Sequence, residues 1–125
     1  MRSILVMSAG VLMILSSGAH AFLGWPQLQP ELSKAGVVQP LLGAVAVGWY
    51  FGSVAMLTFG VVVLLMGLRL KRGDRSGVLT VRIVAAAYLL FGLTVFVLRD
   101  FNPHFLVFVF TGLLTGIPVL SVKTD

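Results

Sequence analysis

Four apolar stretches divide this chain: Ile4 to about Leu23, Leu41 to Leu68, Val78 to Leu98, and Phe105 to about Leu120. Polar residues gather between the stretches instead of alternating within them. Crossing a hydrocarbon layer of roughly 30 Å takes about 20 helical residues. The first and third stretches meet that length, and the second exceeds it and is expected to tilt or run past the core. The fourth, with Pro118 near its end, stands at the lower limit. Many of these residues are β-branched, but a sheet reading fails, because the runs are continuously apolar and an open sheet leaves unpaired edges in lipid. The pattern predicts an all-α integral membrane protein, a compact four-transmembrane-helix bundle in one membrane domain. Its helices are expected at about 4–24, 41–68, 78–98 and 105–121.

The segment RLKRGDRSG, residues 69–77, reads as a polar turn with Arg69, Lys71, Arg72 and Arg75 set against Asp74. Arg82 stands one turn into the third helix, from where a long side chain can snorkel back to the same headgroups. Basic loops stay in the cytoplasm, which puts both termini there, bringing Arg2 and Lys123 with them. Lys34 and Arg99 are left outside, beside Glu31 and Asp100. The outer loop, 25–40, is interrupted by Pro26, Pro30 and Pro40, and PELSKAG within it predicts one or two helical turns on the membrane surface. The second outer turn, RDFNPH, is tight.

Composition excludes a soluble alternative. The chain has 125 residues, 58% hydrophobic and 10% charged, and a mean hydropathy of +1.06. Soluble domains carry about 25% charged residues, so a water-soluble fold would lack the polar surface to cover its core. The net charge of +5 lies between apolar runs. Anionic lipid headgroups account for it, and the expected partner is the bilayer, not nucleic acid. The absence of cysteine removes disulfides, thiolate metal sites and cysteine nucleophiles.

Two patterns bear on packing. Ala44, Gly48, Gly52 and, after Met56, Gly60 recur at steps of four in the second helix, and Gly112 and Gly116 repeat that spacing in the fourth. Small residues at this spacing permit close helix contact. They are expected to pack the helices of one chain, and the same face suits a homo-oligomer or a larger membrane-protein partner. A structural or accessory subunit is therefore the first functional expectation. The spans hold no Asp, Glu or Lys, which argues against a proton-driven exporter, since such cycles use a titrating intramembrane carboxylate. Ser8, Ser16, Ser17, Ser53, Thr58, Thr80, Tyr88, Thr94, Thr111 and Thr115 are neutral and expected to bond backbone carbonyls or a neighbouring helix.

Candidate chemistry is limited to the outer side. Topology brings His20, at the end of the first helix, toward His104, at the start of the fourth, in a region shared with Trp25, Glu31, Tyr50, Arg99, Asp100 and Asn102. Three readings compete for this set. It closes the bundle's outer end as an interfacial network, or it grips the head of a lipid, quinone or other hydrophobic ligand held between helices. The third makes His20 and His104 an axial pair for haem, but two histidines distant in sequence with no attachment motif define no metal site. Phe91, Phe96, Phe101, Phe105 and Phe108 are available to line a cavity. No serine lies in a nucleophile motif and no carboxylates pair for acid–base work, so neither an enzymatic reaction nor a cofactor is specified. A channel or carrier would require an oligomer, because one chain of 125 residues leaves little room for a polar path, and no ring of charges suits a selective pore.

Residues 1–21 also satisfy an export signal: Arg2, an apolar core from Ile4 to Leu15, and Ala19-His20-Ala21 before a cut. Retention is expected, because the apolar run continues through Phe22 and Leu23 to spanning length. Compactness and the A-x-A pattern point to a bacterial inner membrane.

Overall fold

The computed structural model describes residues 1–123. Helix α1 (Arg2–Ala19), a π-helical turn (His20–Gly24) and α2 (Trp25–Lys34) follow without a break. Most of the stretch expected as a loop over 25–40 is therefore helix, and the chain reverses between α2 and Val38. The prolines explain both the expectation and the outcome. Pro26 has no N–H for the Phe22 carbonyl four residues earlier, and its ring crowds that carbonyl. The wider i→i+5 turn at His20–Gly24 lies just ahead of Pro26 and absorbs the conflict, so the helix continues. Gly36, at φ +82°, then supplies the left-handed residue that ends α2.

Helix α3 (Gln39–Lys71) begins with Pro40 in its first turn, where the missing N–H has no helical partner to lose. Thirty-three residues make a helix about 50 Å long, so both α3 and the continuous Arg2–Lys34 helix outreach a layer of roughly 30 Å. Helix α4 (Val78–Leu98) is followed by a tight stop. Asp100 and Phe101 adopt φ of 53° and 59°, the Phe101 N–H donates to the Phe96 carbonyl at 2.9 Å, and the Phe96 and Phe101 rings meet edge-on at 5.4 Å. These are the backbone bond and apolar contact of a Schellman stop. The Asn102 side chain accepts the His104 N–H at 2.9 Å and opens a 3₁₀ turn (Pro103–Phe105), which leads into α5 (Leu106–Gly116) and a second 3₁₀ turn (Ile117–Val119).

The molecule is an all-α bundle with three helices long and apolar enough to span a membrane: Arg2–Lys34, Gln39–Lys71 and Val78–Leu98. The fourth apolar segment, Pro103–Val119, is shorter. Against the four-span expectation this is a partial correction, because 3₁₀ turns and Pro118 occupy both ends of that segment.

The helices pair closely in two sets. Along α1 and α3 small residues recur every seven positions, Gly10 and Ser17 on one, Ser53, Gly60 and Gly67 on the other. A methyl added at Gly10 would fall 2.8 Å from the Gly60 oxygen, and one at Gly60 would fall 2.9 Å from the Gly10 oxygen. The Ser17 hydroxyl donates to the Ser53 carbonyl at 2.8 Å. A period of seven keeps such faces together in a left-handed pair. In the second set, Gly92 of α4 faces the Val109 backbone, and Gly112 of α5 faces Leu89 and the Ala85 carbonyl, each within about 3 Å of an added methyl.

The two sets meet in a core of Val6, Ala9, Met13, Val63, Val78, Val81, Val84, Tyr88, Val119 and Val122. It lies toward the end of the bundle that carries the basic 69–77 turn. Arg82 closes it. Its Nε and Nη2 donate to the Val119 carbonyl at 3.2 and 2.9 Å, and Nη2 also reaches the carbonyls of Leu120 at 3.0 Å and Val122 at 2.6 Å. The guanidinium, expected to return to the headgroups, binds carbonyls at the end of the last helix. Outward faces carry exposed residues such as Phe51, Leu90 and Leu98, all more than 70% accessible. Apolar surface of this extent belongs to a molecule embedded in lipid.

Candidate functional site

The small residues singled out in α3 do not share a face. A step of four advances about 40° around a helix, which is about 160° from Ala44 to Gly60. Ala44 and Gly48 are exposed, and a methyl at Gly48 would meet nothing within 4 Å. At Gly52 the nearest atom is His20 Nε2, at 3.6 Å. Gly60 lies in the α1–α3 seam, and Gly112 and Gly116 face α4, the latter with the Ala85 Cβ 3.1 Å away.

Around the π-helical turn two of the candidates, His20 and Trp25, gather on Trp49, a residue outside the candidate set, and Tyr50 joins them through Trp25. The His20 ring stacks on Trp49 with centroids 4.0 Å apart and planes 10° apart. Trp49 Nε1–H donates to the His20 carbonyl at 2.8 Å. Trp25 packs on Trp49 at 6.1 Å and on Tyr50 at 6.2 Å. The signal for Trp49 was its place beside glycines in the N-terminal part of α3, where an indole N–H seeks an acceptor. Arg99, Asp100 and Asn102 stand apart from this cluster. They are exposed and form the Schellman stop and the cap of the following turn, and among the described residues Arg99 and Asp100 make no ion pair with each other.

The basic turn is also self-contained. Arg69, Lys71, Arg72 and Arg75 are exposed. Hydrogen bonds from Ser76, its hydroxyl first and its backbone N–H next, hold the Asp74 carboxyl below the usual carboxylate range.

His20 and His104 line one cleft of about 590 Å³ at the end opposite the basic turn, with Gln27, Glu31 and Trp49 also on its walls. Among the described residues no three His, Asp or Glu side chains are grouped to hold a metal ion. This cleft shares His20, Met56 and Phe108 with a second one, of about 290 Å³, between α3 and α4. Gly52, Ala55 and Ala87 leave the room there, and Phe59, Phe91 and Phe108 wall it. Phe91 and Phe108 meet edge-on at 4.9 Å.

At the inner limit of that space stands Tyr88, 7% exposed, with Phe59 6.3 Å and Phe108 6.1 Å from its ring. Five other span hydroxyls are bonded, Ser17 to the Ser53 carbonyl, Ser53 to Trp49, Thr58 to Val54, Thr111 to Val107 and Thr115 to Thr111, whereas among the described residues Ser8, Ser16, Thr80 and Thr94 make no such bond. The Tyr88 hydroxyl has no partner, and among the described residues it is the one buried side-chain polar atom of which this is true. Compared with known proteins, the chain matches no family model, no curated sequence and no solved structure. The fold defines the class: a small, membrane-embedded helical protein.

Proposed function

We propose that this protein is a four-span membrane bundle that holds a hydrophobic ligand between its two helix pairs. The observation that carries this reading is a system of two adjoining clefts, one walled by His20 and His104 and one by Tyr88 and Phe91, with His20, Met56 and Phe108 on the walls of both. Its volume is of the order found in small-molecule sites, roughly 300–1,000 Å³. It is apolar at depth and polar at its mouth, which suits a ligand with an apolar body.

The fourth span draws support from length and from Arg82. Eleven α-helical residues at about 1.5 Å and six 3₁₀ residues at about 2.0 Å reach close to 30 Å. Arg82, one turn into α4, binds Val119, so Pro103–Val119 runs back along most of α4. With four spans both termini share the side of the basic turn, and the positive-inside bias makes that side cytoplasmic. A bacterial inner membrane is the location this arrangement fits.

Native mass spectrometry of protein extracted with its own lipids tests the ligand reading. Wild type is expected to retain a small hydrophobic molecule that Ala55→Phe, which fills the cleft, loses. Identical bound species in both proteins would defeat it. An accessory role is the second reading, favoured by the outward-facing Ala44 and Gly48, where a partner helix can approach closely. It requires Gly48→Leu to shrink the native complex.

A further inference from the structure

We infer that Arg82, Ser121 and Lys123 form a site for a phosphate group, that of an anionic phospholipid in the leaflet beside the basic turn. The site shares no residue with the two clefts that reach His20, so its test leaves the ligand reading untouched. Arg82 stands about 6 Å along α4 from Val78 and is only partly exposed. Its guanidinium carries a full positive charge. The carbonyls of Val119, Leu120 and Val122 accept from Nε and Nη2 but have no net charge of their own. Among the described residues the one ion pair is Lys34 with Glu31, on the outer hairpin. The acid of the basic turn, Asp74, accepts the Ser76 N–H and is not paired with Arg82. A partly buried charge held without a counterion is costly, so Arg82 calls for an anion.

The surroundings select that anion. Arg82, Leu120, Ser121, Val122 and Lys123 line an open cleft of about 360 Å³. Ser121 and Lys123 are exposed there, so the cleft combines two positive charges with a hydroxyl, and phosphate oxygens accept from both kinds of donor. The carbonyl bonds already hold the guanidinium in place, so an arriving anion orders little that was free. Next to these groups the surface is apolar. Ile83 beside Arg82, and Ile117 and Leu120 at the end of the last helix, are all more than half exposed. A soluble anion leaves those side chains unused, whereas a phospholipid lays its acyl chains against them and its phosphate at the level of the first turn of α4. A zwitterionic head brings a cation of its own toward Arg82 and Lys123, and like charges repel. A head with net negative charge brings none, which is the reason to favour an anionic lipid.

The test titrates the purified full-length protein, in micelles of a neutral detergent, with dioleoyl phosphatidylglycerol or with phosphatidylcholine of the same chains, and counts bound lipids by native mass spectrometry. Wild type is expected to bind the first phosphatidylglycerol more tightly than phosphatidylcholine. Lys123→Gln is expected to raise the phosphatidylglycerol Kd about 5-fold, the share of one basic residue at an anionic surface, and to leave the phosphatidylcholine Kd unchanged. Arg72→Gln combined with Arg75→Gln removes two charges from the exposed turn and is expected to matter less than Lys123→Gln. Both variants keep Arg82 and the carbonyls it holds, so neither opens the end of the bundle. Equal Kd values for the two lipids, or no change in Lys123→Gln, would overturn the inference. So would a loss in the turn variant as large as that in Lys123→Gln, because the attraction would then be spread over the whole basic face. Millimolar inorganic phosphate, set against chloride of equal ionic strength, separates the two sources of a phosphate group. It is expected to leave lipid binding unchanged, and displacement would make this a site for free anions and not for lipid. Asp125 lies outside the described residues. A phosphatidylglycerol preference that is missing from wild type and appears in Asp125→Asn would mean that the chain supplies its own counterion, which also overturns the inference.

Discussion

Helix α3 presents two faces that use small residues to opposite effect. Toward α1, Gly60 meets Gly10 with no space for a methyl on either. Toward α4, Gly52 and Ala55 look across an open cleft at Ala87. The difference lies in the partner. On the α1 side small residues of both helices recur every seven positions, so the backbones approach along the whole contact. On the α4 side Phe59 and Phe91 stand among the small residues that line the cleft. Small residues close a contact only when the facing helix offers small residues in register and no ring stands between them.

Leucine substitutions provide the strongest way to break that comparison. Gly60→Leu places its first carbon 2.8 Å from Ile14 Cγ1 and 2.9 Å from both the Gly10 oxygen and the Ile14 nitrogen. Two of those three are backbone atoms, so the helices must separate, at a cost of about 3 kcal/mol or more. Gly48→Leu, with open space around it, should stay within about 0.5 kcal/mol of wild type as long as the protein is alone. Unfolding of the two variants in mixed micelles compares them directly. Equal losses would mean the seam is not where α3 is held.

Next in size is the closure of the core by Arg82. Arg82→Leu removes the guanidinium donors from the carbonyls of Val119, Leu120 and Val122, leaving Val119 the Val122 N–H, and hydrogen bonds to charged groups contribute about 1.5–3 kcal/mol. The segment after Gly116 should then exchange its amide hydrogens faster, while amides around Gly10 and Gly60 keep their protection. Loss of protection in both places would show that the two helix pairs unfold as one unit and that the seam has no independent strength.

Much of this architecture is legible in the chain, and its limits have physical causes. Long runs without polar interruption predict the helices, because lipid permits little else. The turn at 69–77 follows from its charge and from Gly73, which takes φ +87°. The proline-rich 25–34 stretch misleads, since a π-helical turn can absorb a proline's missing bond and hydropathy gives no sign of it. The step-of-four glycine pattern misleads for a different reason: it drifts around a straight helix, whereas the period of seven in Gly10, Ser17, Ser53, Gly60 and Gly67 stays on one face. The bonds of Arg82 to residues 119–122 were not legible, because nothing local reveals carbonyls that arrive from so far along the chain. His20 and His104 share a cleft through topology that the alternation of spans already implies. Tyr88 gave no warning, because a hydroxyl's lack of a partner exists only once the neighbouring helices are in place.

Trp49 stands where the two faces of α3 meet, and Trp49→Phe tests how far the seam extends toward the cleft. The indole N–H bond to the His20 carbonyl is lost, and with it part of the stacking on the imidazole. A single neutral hydrogen bond contributes about 1 kcal/mol, so the change should be smaller than those of Gly60→Leu and Arg82→Leu. Its location is more informative than its size. A carbonyl in a π-helical turn that loses its side-chain donor leaves the turn free to rewind, so amides of His20–Gly24 should exchange faster while those around Gly60 do not change. If the turn keeps its protection, Pro26 alone fixes the π-helical geometry and Trp49 merely covers it. The seam would then end at Ser17 and Ser53.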